Sequence, residues 1–150
     1  MPAHRYTREE LAGAERAAFG LALQARLQDV DAAGVVFFAR VFEYFHDALM
    51  AFLESAGFPI PRLLHEGRVL SPIAHAEADY FQPVRFGDRL QAEVVKAHVE
   101  GSRVTIGYRL VRADSGVPVA VGQTVHACVD AKTFARTELP AGFREALSRI

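Results

Sequence analysis

Residues Gln28–Gly57 read QDVDAAGVVFFARVFEYFHDALMAFLESAG, and the fold turns on how this stretch is parsed. Asp29, Asp31 and Gly34 stand directly before a long apolar run. Within that run Val41, Phe45, Ala48, Leu49, Phe52, Leu53 and Ala56 recur at helical spacing and form one broad stripe. Arg40, Glu43, Asp47 and Glu54 fall largely on the opposite face. Gly57 stops the helix, and Pro59 and Pro61 reinforce the stop. The pattern predicts a helix from about Ala39 to Ala56, about 27 Å long at the usual rise per residue. A helix this apolar must be covered by other parts of the fold.

The cover is a sheet. Upstream, LALQARLQ (Leu21–Gln28) reads as a strand. After a proline-rich, basic connection from Phe58 to Arg68, the pattern changes to period two. Ala74, Ala76, Ala78 and Tyr80 alternate with His75, Glu77 and Asp79. Leu90, Ala92 and Val94 alternate with Gln91 and Glu93. The phase then slips at Val94–Val95, with Val95, Ala97 and Val99 as the next apolar set, which predicts a bulge or strong bend. A turn at Glu100–Ser102 leads to Val104, Ile106, Tyr108 and Leu110, and ADSG (Ala113–Gly116) makes another hairpin turn. A last long strand runs through Val117, Val119, Val121, Val125, Ala127 and Val129. At the N-terminus, Thr7 with Glu10 forms a capping-box pattern for a short helix in REELAGAERAAF. The expected class is α+β: a five-stranded antiparallel sheet wrapped around one long central helix, with an extra short N-terminal helix.

Composition narrows the function. A chain of 150 residues is most simply one domain with a sizeable core. The formal net charge of -1 gives no electrostatic footprint for nucleic acid or an anionic membrane. The single cysteine, Cys128, allows no intramolecular disulfide and fits a reducing compartment. No apolar run approaches the roughly 20 residues that span a bilayer, and MPAHRYTREE lacks a signal-peptide core. The expectation is a soluble cytoplasmic protein.

The acidic loop admits two active readings. As a calcium loop, Asp29, Asp31 and Gly34 would fill positions one, three and six, but Ala33 and Arg40 stand where further ligands are required. That reading fails. As a catalytic loop, the turn at Ala32–Gly34 brings backbone close to a ligand, and the helix start offers N–H groups with no intrahelical acceptor. An acid beside such donors suits acyl transfer: the carboxylate attacks or activates water, and the donors hold the oxyanion. The residues alone leave a third reading open, in which Asp29 or Asp31 only caps the loop backbone.

DVDAAGVVFF (Asp29–Phe38) resembles the D-x-D-x-x-G-[IV]-V-[YWF]-[YFH] signature of 4-hydroxybenzoyl-CoA-type thioesterases, which have the hotdog fold. The resemblance extends over nearly the whole chain beyond residues 1–20 and includes SPIAHAEADYFQPVRFGDRL (Ser71–Leu90). The branch most similar is that of the 1,4-dihydroxy-2-naphthoyl-CoA thioesterases, through D-x-D-x-A-G-V-V, the His46–Asp47 pair and the His75–Phe81 segment. The resemblance implies hydrolysis of an aromatic acyl-CoA, with Asp31 as nucleophile or general base. It makes the Phe38 backbone N–H the group that polarises the carbonyl, Gly34 the motif glycine and Asp29 a residue that shapes the loop. Two departures stand out. Phe38 replaces the histidine of some bacterial relatives, and only Arg103 in VEGSRV (Val99–Val104) matches a basic cluster that holds coenzyme A.

Other candidates carry two roles each. His46 either contacts a hydroxyl of the acyl group or is a partly buried histidine satisfied by a neighbour. His75 either lines the acyl pocket across a subunit interface or lies on a solvated strand face with Glu77 and Asp79. Arg62, Arg68, Arg85, Arg89 and Arg103, with His65, are a loose basic set suited to phosphate or simply solvated. The phenylalanines are mainly core residues, and Phe37, Phe38 and Phe42 in addition suit the wall of an apolar ligand site. The histidines show no metal-ligand spacing, and no nucleotide-binding glycine motif occurs, so neither metal nor separate cofactor is expected; coenzyme A is part of the substrate. Exposed sheet edges call for a homodimer or homotetramer. The rival readings are a non-catalytic acyl-CoA-binding protein and a dehydratase or hydratase acting on an acyl thioester.

Overall fold

The computed structural model describes residues 2–150. In chain order the elements are α1 (Arg8–Ala12), β1 (Phe19–Gln24), a 3-10 turn (Leu27–Asp29), α2 (Phe38–Ser55), α3 (Ile60–Glu66), β2 (Val69–Leu70), β3 (Ile73–Tyr80), β4 (Arg89–Glu100), β5 (Arg103–Arg112), β6 (Pro118–Ala127), β7 (Val129–Asp130) and α4 (Ala141–Leu147). Five strands form one antiparallel sheet in the order β1-β4-β5-β6-β3, wrapped around α2. This is the α+β architecture expected from the two periodicities, and the hotdog fold that the family resemblance implies.

The stripe on α2 is the core. Val41, Phe45, Ala48, Leu49, Phe52 and Leu53 are all buried, against Leu90, Ala92, Val94, Ile106 and Leu110 of the sheet. Phe45 stacks on Tyr108 with ring centroids 5.0 Å apart. The close approach depends on Gly122, where an added Cβ would lie 2.6 Å from the Phe45 ring and 2.8 Å from the Glu77 carbonyl oxygen. Tyr44, absent from the apolar stripe as read in sequence, is buried with it because its hydroxyl finds a partner described below.

The phase slip in β4 is real but lies one residue later than the sequence indicates. The β4–β5 register shifts between Val94 and Lys96. Val94, Ala97 and Val99 pack on the core around α2, whereas Val95 faces the other side of the sheet and packs on Leu11 and Val121. The bulge thus lets one strand serve both faces.

Several elements differ from expectation. The first strand lies at Phe19–Gln24, not Leu21–Gln28, because the Arg26 N–H turns back to Asp29 and closes a 3-10 turn. The N-terminal helix stops at Ala12, where Gly13 caps it, although its Thr7–Glu10 box forms as predicted with bonds of 3.2 and 2.7 Å. The connection Phe58–Arg68 contains α3, which accommodates Pro61 in its first turn, where no intrahelical N–H is required. The last strand splits: β7 leaves the main sheet and pairs with β2. The C-terminal α4, not anticipated, buries Phe143, Ala146 and Leu147, and Phe143 stacks on Phe58.

Residues 4–14 run across the sheet's outer face and are held there by polar side chains. Gln123 exchanges two hydrogen bonds with the Tyr6 backbone, at 2.9 and 2.8 Å. Arg109, paired with Glu93 at 2.8 Å, donates to the carbonyls of Ala12 and Ala14. At the sheet's far side, the outer edge of β3 pairs with no other strand among the described residues.

Candidate active site

The loop between the 3-10 turn and α2 places two carboxylates in opposite environments. Asp29 is 1% exposed. Its Oδ2 accepts from the Arg26 N–H (2.9 Å) and from the Tyr44 hydroxyl (2.8 Å), and the Arg26 guanidinium lies at 3.4 Å. Burial alone would raise its pKa, but these donors outweigh it and hold the carboxyl below its ordinary range. The Asp29 carbonyl accepts the Phe37 N–H at 2.8 Å, so the same residue fixes where the helix begins.

Asp31, two positions on, is exposed. Its Oδ1 accepts from the Ala33 N–H (2.8 Å) and the Val35 N–H (3.3 Å), while its backbone pairs with Val35 and Gly34. Gly34 takes φ 76°, a conformation costly for other residues. The capping role is therefore real for Oδ1, and Oδ2 keeps no partner among the described residues. The carboxylate is thus anchored through one oxygen and open at the other.

The loop is stitched to the following segment by the Val36 N–H bond to the Val84 carbonyl (2.7 Å) and by a bridge between Val35 and Arg85. These contacts close one wall of a cavity of about 460 Å³ lined by Asp31, Phe37, Phe38, Tyr80, Phe81 and Gln82 among others. Phe38 opens α2 and is 61% exposed. Its N–H and that of Ala39 donate to no described backbone acceptor, as expected at a helix start. Asp31, Phe37 and Phe38 thus line one cavity, and Gly34 makes the turn between them.

The remaining candidates lie elsewhere in the chain. His46 lines a second, mainly apolar cavity of about 270 Å³ farther along α2, with Ser71, Ile73, His126 and Cys128. His126, overlooked in the sequence, is buried there; its Nδ1 donates to the Ser71 carbonyl (3.3 Å) and its Nε2 meets Thr124 Oγ1 (2.8 Å). Burial lowers its pKa and favours the neutral ring. Only its place in an alternating strand beside Thr124 could have signalled it. His75 points to the outer face and bonds Glu77 at 2.8 Å, away from both cavities. Phe42 is half-buried and packs edge-on to Phe45. Arg85 adjoins the Asp31 loop and its N–H bonds Asp88. Arg89 is exposed at the start of β4. Arg103 begins β5 opposite Ala127, at the end of the sheet near the second cavity and remote from Asp31. Among the described residues no group of three or more His, Cys, Asp or Glu is arranged to hold a metal ion.

Five antiparallel strands around one helix, with an acid-bearing turn at the helix start, define a hotdog protein of the thioesterase kind. Residues 25–147 match the family model of the Thioesterase-like superfamily, and the chain belongs to that superfamily. It is 37% identical over 123 residues to the 1,4-dihydroxy-2-naphthoyl-CoA hydrolase of Synechococcus elongatus, covering 81% of this chain and 89% of that one. It is 35% identical over 116 residues to the hydrolase of the same name from Rippkaea orientalis, covering 76% and 83%. Among solved structures, a 1,4-dihydroxy-2-naphthoyl-CoA thioesterase from Synechocystis superposes with a TM-score of 0.81 at 28% identity, covering 87% of this chain and 95% of that one.

The lowered pKa of Asp29 has a definite consequence. A carboxylate whose folded pKa is depressed stabilises the fold above its unfolded pKa, and that stabilisation is lost as pH falls through the folded value. Denaturant melts of wild type and Asp29→Asn are expected to differ most near neutrality, by about 1–3 kcal/mol, with the gap narrowing below about pH 4. A gap constant from pH 7 to pH 3 would contradict the assignment.

Proposed function

We propose that this chain hydrolyses the thioester of an aromatic acyl-CoA to the free acid and coenzyme A, with a hydroxynaphthoyl or hydroxybenzoyl group as the acyl portion. The observation that carries the reading is the meeting in one cavity of Asp31 and Phe38, the first residue of α2, whose N–H takes no backbone acceptor among the described residues. The names of the relatives from Synechococcus elongatus and Synechocystis support the aromatic acyl class.

In the water route, Asp31 takes a proton from water as its oxygen adds to the thioester carbonyl carbon. The Phe38 N–H stabilises the negative charge that develops on the carbonyl oxygen. Collapse of the tetrahedral species breaks the C–S bond, and the leaving thiolate takes the proton back. In the covalent route, Asp31 Oδ2 itself adds to the carbonyl, the thiolate departs, and water hydrolyses the resulting anhydride. Both routes use the same anchored carboxylate.

The site is completed by a second copy of the chain in this reading. The free edge of β3 carries exposed Ile73 and Tyr80 at its two ends. Antiparallel pairing of β3 with its copy about the strand midpoint sets Ile73 of one chain near Tyr80 of the other. The second cavity, at the Ile73 end, then adjoins the partner's Asp31 cavity, at the Tyr80 end. The acyl ring extends from Asp31 into the partner's apolar cavity, where His46 meets its hydroxyl. Arg85 and Arg89 from one side and Arg103 from the other receive the phosphates of coenzyme A.

Two measurements test this. Thiol release from a panel of aromatic and aliphatic acyl-CoAs is expected to be fastest with hydroxylated aromatic esters and to fall roughly 10²–10⁴-fold in Asp31→Asn with an unchanged melting midpoint. Full activity in the variant would remove Asp31 from the mechanism, and binding of every ester without turnover would point to an acyl-CoA-binding protein. Sedimentation is expected to give at least twice the 16.5 kDa chain mass; a monomer with full activity would rule out the shared site.

A further inference from the structure

Tyr80 ends β3 and lines the Asp31 cavity, and its hydroxyl donates to the Phe38 carbonyl oxygen at 2.8 Å. Tyr80 is 46% exposed in the single chain, and this hydrogen bond ties its side chain to the helix start. Partial burial raises the phenol's pKa, which keeps it protonated and able to donate at neutral pH. Nothing in the chemistry proposed so far uses this bond.

The bond acts on a particular peptide unit. The Phe38 C=O and the Ala39 N–H belong to the same planar amide. A hydrogen bond to the oxygen draws electron density from the amide and makes its N–H a stronger donor. The preceding amide, which joins the Phe37 C=O to the Phe38 N–H, is loaded in the same way: the Arg40 N–H donates to Phe37 O at 2.9 Å. Both amides at the helix start therefore have an engaged carbonyl, and both N–H groups remain open. The Arg40 contact is made by the helix itself. The Tyr80 contact comes from the end of a strand 42 positions away in sequence and ties the first turn of α2 to the sheet.

We infer that Tyr80 is a positioning residue for the reaction: through Phe38 O it fixes and polarises the first turn of α2, so that the Ala39 N–H joins the Phe38 N–H in holding the oxyanion. The inference rests on the thioesterase reading above. An effect transmitted through these donors grows as charge builds on the carbonyl oxygen, so it appears in kcat rather than in substrate binding.

Tyr80→Phe retains the ring and removes the hydroxyl. With the best substrate of the panel, kcat is expected to fall roughly three- to tenfold while KM changes less than about twofold, in line with the loss of one hydrogen bond. The second readout needs no turnover: the infrared carbonyl stretch of a bound aryl ketone analogue, in which CH2 replaces the thioester sulfur. In wild type the stretch should shift to lower frequency on binding, and in Tyr80→Phe the shift should shrink. An active wild type matched by Tyr80→Phe in kcat overturns the inference and leaves the thioesterase reading standing. A purely structural role for Tyr80 lowers the melting midpoint but leaves the ketone frequency at its wild-type value, which also overturns it. If wild type hydrolyses no ester, the thioesterase reading fails, and an equal ketone shift in both proteins then rejects the Tyr80 role separately.

Discussion

One buried carboxylate organises the functional end of this molecule. Asp29 accepts from a backbone N–H behind it and from the Tyr44 hydroxyl on the helix ahead of it, while its own carbonyl receives the Phe37 N–H. Hydrogen bonds to an ionised group are worth about 1.5–3 kcal/mol each, and removing a donor would leave a buried charge poorly satisfied. The loop is therefore fixed to the helix on one side by electrostatics. On the other side, Asp31 can hang on its own turn, tied only through Oδ1. Two acids separated by one residue thus sit in opposite environments, Asp29 buried and Asp31 exposed.

The rest of the fold supplies places rather than chemistry. The apolar stripe of α2 holds the helix against the sheet, and the sheet's end brings Tyr80 and Phe81 over the helix start. The same helix lines the second cavity with His46 one half-length later. A single helix thus borders one cavity at its N-terminus, beside Asp31, and a mainly apolar one beyond it. The segment from His4 to Ala14 covers the opposite face of the sheet, where Gln123 and Arg109 bind its backbone as specifically as a strand would. The outer edges of β1 and β3 pair with no other strand among the described residues, and of the two the β3 edge adjoins both cavities.

Much of this was legible in the residues because it rests on periodicity and local chemistry. The α2 stripe, the Thr7–Glu10 cap, the hairpins and the bulge in β4 all come from patterns spanning a few residues. The acid–glycine turn before the helix was legible for the same reason. What stayed hidden depends on contacts distant in sequence. Tyr44 looks like one more helix residue until its hydroxyl meets Asp29, and the Tyr80 bond to the Phe38 carbonyl exists only because β3 ends beside the start of α2. The helix α3 was masked by prolines that read as stops but fit a first turn. His75 shares the outer strand face with Glu77, one of the two readings that its alternation left open.

In the proposed reaction the thioester carbonyl sits between Asp31 and the α2 start. A crystal structure with a non-hydrolysable aryl ketone analogue of an acyl-CoA tests it most directly. The account predicts the ketone oxygen about 3 Å from the Phe38 nitrogen, the carbonyl carbon facing Asp31 Oδ2, and the aryl ring in the partner's cavity beside His46. A ketone bound away from the helix start, with Asp31 out of reach of its carbonyl carbon, would contradict it.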